Sequence, residues 1–239
     1  MNIPIVYEDE SLVVINKPAG VIVNRAVSVG KETIQDWTEK KYQISNIQYQ
    51  KNDFYSRSGI VHRIDKDTSG LLIIAKVPQA FYDLQSQFKQ RSIVKKYTAL
   101  VHGLVSAEGE IKASIGRLPW NRERFGVIPG GRQAITSYKV ISRYKLDSNT
   151  FTLLEVMPYT GRTHQIRIHL KYIGNTIVSD YFYGGRKTYR EDLKFCPRLF
   201  LHAGYMKFKH PVSLALLEIR AGLPDDLKEV LINKLNILD

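Results

Sequence analysis

The chain of 239 residues contains a single cysteine, Cys196, so an internal disulfide is excluded and a reducing compartment is expected. Its N-terminal residues lack a basic segment followed by a long apolar stretch, which argues against a secretory signal. No apolar run approaches the roughly 20 residues that span a bilayer. We therefore expect a cytoplasmic protein without a membrane segment.

Several common catalytic motifs are also absent. No G-x-S-x-G occurs, so the nucleophile turn of α/β-hydrolases has no support. A phosphate-binding P-loop is disfavoured because Gly184-Gly-Arg-Lys-Thr has Arg186 where that motif needs its second glycine. His164 and His169 lack the i, i+4 spacing of a helical zinc pair, and no cysteine cluster exists. The sequence therefore favours neither a nucleotide cofactor nor a metal.

Acidic residues are the minority. The chain has 35 Lys and Arg against 23 Asp and Glu, a net charge of +12. Such a balance indicates a polyanionic partner, most often nucleic acid, although a basic surface can also serve solubility. Apolar residues make up 44% of the chain, enough for a substantial core.

Strands dominate the predicted elements, and most come in pairs joined by short turns with single helices between them. Because no regular βαβ alternation is present, we expect an α+β fold with a mixed, largely antiparallel sheet. Residues 43–58 lack periodicity and are predicted to be a loop or an insertion. Predicted strands cover 3–7, 11–15, 71–75, 97–101, 110–115, 134–144, 151–157, 199–209 and 214–220. Predicted helices cover 33–42 with Thr33 at the N-cap, 80–91 with Pro78 at the helix start, 160–173, and a terminal segment from 224 whose apolar side reaches Leu235.

Residues 59–76 combine a polar loop with a buried strand. Residues 62–70 are polar and include Asp65, whereas 71–75 form a continuous apolar run. A carboxylate at the edge of a rigid element suits catalysis, and Arg63 and Lys66 could keep it ionised. The alternatives are an ordinary turn, or a two-carboxylate glycosidase that uses the nearby Asp67.

Two further segments carry arginines: one is a candidate for RNA contact, and the other supplies a second arginine on a predicted helix. Residues 117–132 contain four arginines and Trp120, which suits phosphate contact and base stacking or simply a solvated loop. The helix predicted over 160–173 has a buried stripe of Ile166, Leu170 and Ile173, and Arg167 lies off that stripe.

The motifs resemble a known family. His62-Arg-Ile-Asp-Lys-Asp-Thr-Ser-Gly closely resembles the His-Arg-Leu-Asp-x-x-Thr-Ser-Gly signature of the RluA-type RNA pseudouridine synthases, with Ile64 in place of the commoner Leu. Four other segments resemble that family's motifs in the same order. They are the opening segment 7–21, the tyrosine motif 95–103, the arginine motif 158–170 and the late strand 198–203.

The resemblance implies a role for individual residues. Asp65 would be the essential catalytic aspartate, Tyr97 the ring against the target base, and Arg167 the cation paired with Asp65. RNA contacts are expected from His62, Arg63 and Arg162, and Leu201 would line the uracil pocket. The implied fold is a mixed sheet of two subdomains with a catalytic cleft between them.

The implied reaction isomerises uridine to pseudouridine in RNA after the base has left the stack. Asp65 could add to the uracil ring, attack C1′ or remove a sugar proton, and the sequence does not choose among these routes. No cofactor and no metal are implied, since the product contains the atoms of the substrate.

Residues 1–239 are expected to form one catalytic domain without the S4 RNA-binding domain of many relatives, and to act as a monomer. Ribosomal RNA is the favoured substrate. Transfer RNA is an alternative, as is a catalytically silent RNA-binding protein on the same fold.

Overall fold

The computed structural model describes residues 1–25, 30–44, 52–119 and 121–238. They form two compact units, Met1–Val94 with Tyr205–Ala221 and Lys95–Gly204 with Gly222–Asp239. Each unit is discontinuous in sequence, because the chain passes from one unit to the other after Val94, after Gly204 and after Ala221.

In the described part of the chain, strands outnumber helices. The strands are β1 Ile5–Glu8, β2 Leu12–Lys17, β3 Ser69–Ala75, β4 Val94–His102, β5 Gly109–Lys112, β6 Ile115–Leu118, β7 Asn121–Val127, β8 Ile135–Leu146, β9 Asn149–Pro158, β10 Leu201–Lys209, β11 Leu216–Arg220 and β12 Asn236–Leu238. The helices are α1 Ile34–Tyr42, α2 Asp53–Ser56, α3 Pro78–Gln90, α4 Gln165–Tyr172, α5 Arg186–Asp192 and α6 Asp225–Glu229, which continues into a π-helical turn, Val230–Lys234.

The first unit is built on an antiparallel sheet in which β1 pairs with β2 and β2 pairs with β3. Every residue of β3 is buried, which explains the continuous apolar run at 71–75. Helix α3 begins at Pro78, where a missing N–H costs nothing, and buries Phe81 and Leu84. The predicted strand and helix are therefore confirmed.

Thr33 caps the start of α1 as predicted. Its hydroxyl accepts a hydrogen bond from the Asp36 N–H, and the Asp36 carboxylate accepts one from the Thr33 N–H. These reciprocal bonds satisfy backbone donors that the helix itself cannot pair.

The second unit contains a longer antiparallel ladder, in which β4 pairs with β9, β9 with β8, and β8 with both β5 and β12. Its main apolar cluster includes Leu100, Leu154, Leu170 and Phe200. An α+β fold with a largely antiparallel sheet is confirmed.

Several predicted boundaries were wrong. The segment 117–132 is not a loop, since most of it lies in the antiparallel hairpin β6–β7; Trp120 lies outside the described residues. The predicted loop at 43–58 contains α2, and its residues 45–51 are likewise not described. The predicted terminal helix is α-helical only over Asp225–Glu229; it continues as a π-helical turn to Lys234, and the chain then forms β12 against β8. Helix α5 was not predicted.

Within the described part of the chain, none of the helices combines the length and the apolarity that a membrane crossing requires.

Candidate active site

Asp65 lies in the first unit, on the loop that leads into β3. Ile64 and Thr68, on either side of it, are buried, whereas Arg63 and Lys66 are exposed and Asp65 is partly exposed. The Asp65 carbonyl accepts a 3.2 Å hydrogen bond from the Thr68 N–H. The loop is therefore anchored by buried residues on both sides of Asp65, which is itself only partly exposed.

Lys17 also supports the loop that carries Asp65. This lysine is fully buried, and its ammonium donates to the carbonyls of Pro18, Val21 and Lys66 at 2.7, 2.9 and 3.0 Å. The Lys66 carbonyl also accepts a 2.8 Å bond from the Gly20 N–H. The segment after β2 is thus hydrogen-bonded to the residue that follows Asp65. Lys17 lies in the segment 7–21 that resembles the family's opening motif, but the sequence did not predict its contact with the Asp65 loop.

His62 opens the loop and is half-buried. Its Nε2 accepts a 2.9 Å hydrogen bond from the Ile73 N–H on β3, and its ring centroid lies 4.5 Å from that of Phe88. Nε2 is therefore occupied by the backbone of β3. His62 therefore has a structural contact, and its role toward RNA stays a prediction.

Tyr97 and Leu201 lie in the second unit. Tyr97 on β4 is opposite Val156 on β9 and packs, partly exposed, against the main apolar cluster. That cluster contains Leu201 and Ile166, so the structure brings Tyr97 and Leu201 to one region. Two residues before Tyr97, desolvation lowers the pKa of the Lys95 ammonium.

The start of α4 is organised by Gln165. The Gln165 Oε1 accepts from the Thr160 hydroxyl at 2.7 Å and from the Arg162 N–H at 3.0 Å. Its Nε2 donates to the Ile135 carbonyl and to the Thr136 hydroxyl, both at 2.9 Å. Arg162 is therefore fixed through its backbone in the turn before α4.

Arg167 is 3% exposed and forms a bidentate ion pair within the second unit. Its Nε donates to Asp180 Oδ2 at 2.8 Å and its Nη2 to Asp180 Oδ1 at 2.7 Å. The predicted buried stripe of α4 was too narrow, because residues 165–170 are all buried and Arg167 is among them. The pairing of Arg167 with Asp65 stays a prediction, and Asp180 is a partner that sequence reasoning missed.

Aromatic rings enclose the same guanidinium. Arg167 Cζ lies 5.5 Å from the ring centroid of Phe182 and 5.1 Å from that of Tyr183, within cation–π range. The Tyr183 hydroxyl is 2.9 Å from Nδ1 of His164, the residue before α4. In the sequence, the only feature noted near these aromatic residues was the incomplete P-loop motif that begins at Gly184.

His169 is a buried histidine on the other side of α4. Its Nε2 donates to the Ala113 carbonyl at 3.0 Å, and its Nδ1 accepts from the Thr136 hydroxyl at 2.9 Å. Desolvation lowers its pKa, so the ring is held neutral. His169 is therefore a structural group.

Among residues 1–25, 30–44, 52–119 and 121–238, no group of three or more His, Cys, Asp or Glu side chains is arranged to hold a metal ion.

Comparison with known proteins defines the class. Residues 11–172 match the family model for RNA pseudouridylate synthases. The chain is 39% identical over 239 residues to the uncharacterized RNA pseudouridine synthase YlyB of Bacillus subtilis, covering 98% of this chain and 73% of the relative. It is 36% identical over 236 residues to ribosomal large subunit pseudouridine synthase D of Pseudomonas aeruginosa, covering 95% and 70% of the two chains.

A solved structure agrees. Human RNA pseudouridylate synthase domain containing 1 superposes with a TM-score of 0.75 at 25% identity, covering 99% of this chain and 89% of that chain. The fold and the matches place this chain among the RNA-modifying isomerases. It belongs to the RNA pseudouridylate synthase family, and it converts uridine in RNA to pseudouridine.

Proposed function

We propose that the protein modifies a uridine of large-subunit ribosomal RNA and that Asp65 is its essential catalytic group. The observation that carries the role of Asp65 is its loop, in which a fully buried ammonium binds the carbonyl of the next residue. A reacting group needs such a rigid support, because small errors of position cost rate.

The RNA target is inferred from relatives. Matches at 36% and 37% identity are ribosomal large subunit pseudouridine synthases D of Pseudomonas aeruginosa and Nitrosomonas europaea. The net charge of +12 suits a polyanionic substrate of this kind.

In the proposed reaction the target base leaves the stack, since its reacting atoms are inaccessible within a helix. The N1–C1′ bond then breaks, the uracil turns over, and C5 bonds to C1′. C5 loses its proton to restore the aromatic ring while N1 gains one, so that the product is an isomer of the substrate. Tyr97 would lie against the base, Leu201 would line its pocket, and Arg167 would keep Asp65 ionised and oriented. The exposed Arg63, together with Arg162, would bind the RNA backbone.

Carbodiimide mapping of total RNA from cells with and without the gene tests the target. We expect at least one large-subunit rRNA uridine to lose its modification in the deletion strain and to regain it with the wild-type gene. Loss confined to transfer RNA, or no loss at all, would overturn the rRNA assignment.

A further inference from the structure

We infer that Asp180 is the positioning residue for Arg167, and that the turn 180–184 holds the guanidinium plane for the reaction. The inference rests on the proposed catalytic role of Arg167.

The Asp180 carboxylate is fully buried and accepts four hydrogen bonds. Oδ2 accepts from Arg167 Nε at 2.8 Å, and Oδ1 accepts from Arg167 Nη2 at 2.7 Å. Oδ1 also accepts from the backbone N–H groups of Phe182 and Tyr183, both at 3.0 Å. The carboxylate therefore connects the arginine of α4 directly to the backbone of the turn.

The turn itself is fixed on both sides. Ser179 has a φ of 56°, and its N–H donates to buried Asp192 at 2.7 Å while its hydroxyl donates to the Cys196 carbonyl at 2.7 Å. At the other end, the Gly184 N–H donates to the Asp180 carbonyl at 2.8 Å. A Cβ on Gly184 would lie 2.9 Å from that carbonyl oxygen, so the turn requires a residue without a side chain.

The charge balance supports the same conclusion. The Arg167 and Asp180 side chains are 3% and 0% exposed, and an unpaired charge at such a depth is strongly unfavourable. A guanidinium has five N–H donors in one plane, and Asp180 takes one edge of it. Side-on pairing therefore fixes the direction of the whole plane, which a single hydrogen bond would leave free to rotate.

The Asp180→Asn variant separates the support of the turn from the orientation of the Arg167 guanidinium. An amide oxygen at the Oδ1 position keeps the bonds to Phe182 and Tyr183, whereas the amide nitrogen at the Oδ2 position opposes Arg167 Nε–H. The turn should persist while the guanidinium loosens. We expect kcat on the RNA substrate to fall roughly 10- to 100-fold with KM within about threefold of wild type.

The matched control is Asp226→Asn. Asp226 accepts the same side-on pair from Arg198, at 2.6 and 2.9 Å, in the same unit. We expect its kcat to stay within about threefold of wild type. Equal losses of kcat in the two variants would overturn the positioning role.

A double-mutant cycle tests whether Asp180 acts through Arg167. Arg167→Lys combined with Asp180→Asn should be no slower than Arg167→Lys alone, and additive losses would overturn the inference. If Arg167→Lys alone keeps wild-type kcat, the proposed role of Arg167 fails instead.

Melting curves identify which of these variants are folded. Asp180→Glu, which retains the buried charge, replaces Asp180→Asn if that variant does not fold, and wild-type kcat in it would overturn the inference.

Discussion

The buried ammonium of Lys17 donates a 3.0 Å hydrogen bond to the carbonyl oxygen of Lys66, the residue that follows Asp65. The two lysines are far apart in sequence, yet this bond and the one from the Gly20 N–H end at the same oxygen. The loop that carries Asp65 is therefore positioned by a segment of another motif. This relationship explains why a charged residue is buried at the end of β2, after the apolar residues 12–15.

Lys17→Met should destabilise the first unit. The substitution removes the ammonium that the carbonyls of Pro18, Val21 and Lys66 share, although the Lys66 carbonyl keeps a second donor, the Gly20 N–H. Partly buried carbonyls that lose a charged donor are unfavourable. We expect a loss of roughly 2–4 kcal/mol, measured by thermal or denaturant unfolding. Lys207→Met is the control, because Lys207 forms a surface pair with Glu218 and its loss should change stability little. Equal melting temperatures for the two variants would contradict the account.

Gly59→Ala should be far more damaging than Gly20→Ala. Both glycines have positive φ, +75° and +82°, so both substitutions carry the same backbone strain. Only at Gly59 would the new Cβ collide with the Ala75 carbonyl oxygen; nothing lies within 4 Å at Gly20. We expect roughly 3–5 kcal/mol for Gly59→Ala and about 1–2 kcal/mol for Gly20→Ala. Unfolding curves that rank the two the other way would refute this explanation.

Arg167→Lys should lower kcat roughly 10- to 100-fold, because an ammonium cannot reproduce two parallel bonds to Asp180. Arg198→Lys makes the same chemical change at the side-on pair with Asp226 and should leave kcat within about threefold. Single-turnover rates on the RNA substrate measure both. Wild-type kcat in Arg167→Lys would remove Arg167 from the proposed reaction.

His169 should make stability fall in mild acid. Desolvation lowers its pKa in the folded protein, so the unfolded chain binds this proton first as the pH falls. The stabilising contribution is complete above the unfolded value of about 6.5 and is lost as the pH falls through the folded value. We expect the melting temperature of the wild type to drop more between about pH 7.5 and 5.5 than that of His169→Gln. Parallel decreases in the two proteins would show that another group is responsible.

The sequence predicted local structure correctly where that structure depends on neighbouring residues. Thr33 caps α1, Pro78 starts α3, and the apolar run before Lys76 is a buried strand, because capping, proline geometry and strand burial depend on neighbouring residues. The family motifs also predicted the enzyme class, which the comparisons confirm.

Long-range partners could not be read in this way. Asp180 is distant from Arg167 in sequence, and its acidic side chain sits in a segment that no motif reading singled out. Strand β12 pairs with β8, which is far from it in sequence, and the short apolar pattern near 236 does not predict this pairing. The predicted buried stripe of α4 omitted Arg167 for a related reason, since that arginine is buried only because Asp180 neutralises its charge.

Asp65→Asn, measured beside Asp67→Asn, tests the central claim most directly. The two carboxylates share one loop, but only Asp65 is proposed to react, and Asp67 is expected to shape the loop. With purified protein and large-subunit rRNA, pseudouridine formation by Asp65→Asn should fall at least about a thousandfold with little change in RNA affinity. Asp67→Asn should retain a rate within about tenfold of wild type. A wild-type rate in Asp65→Asn would contradict the account.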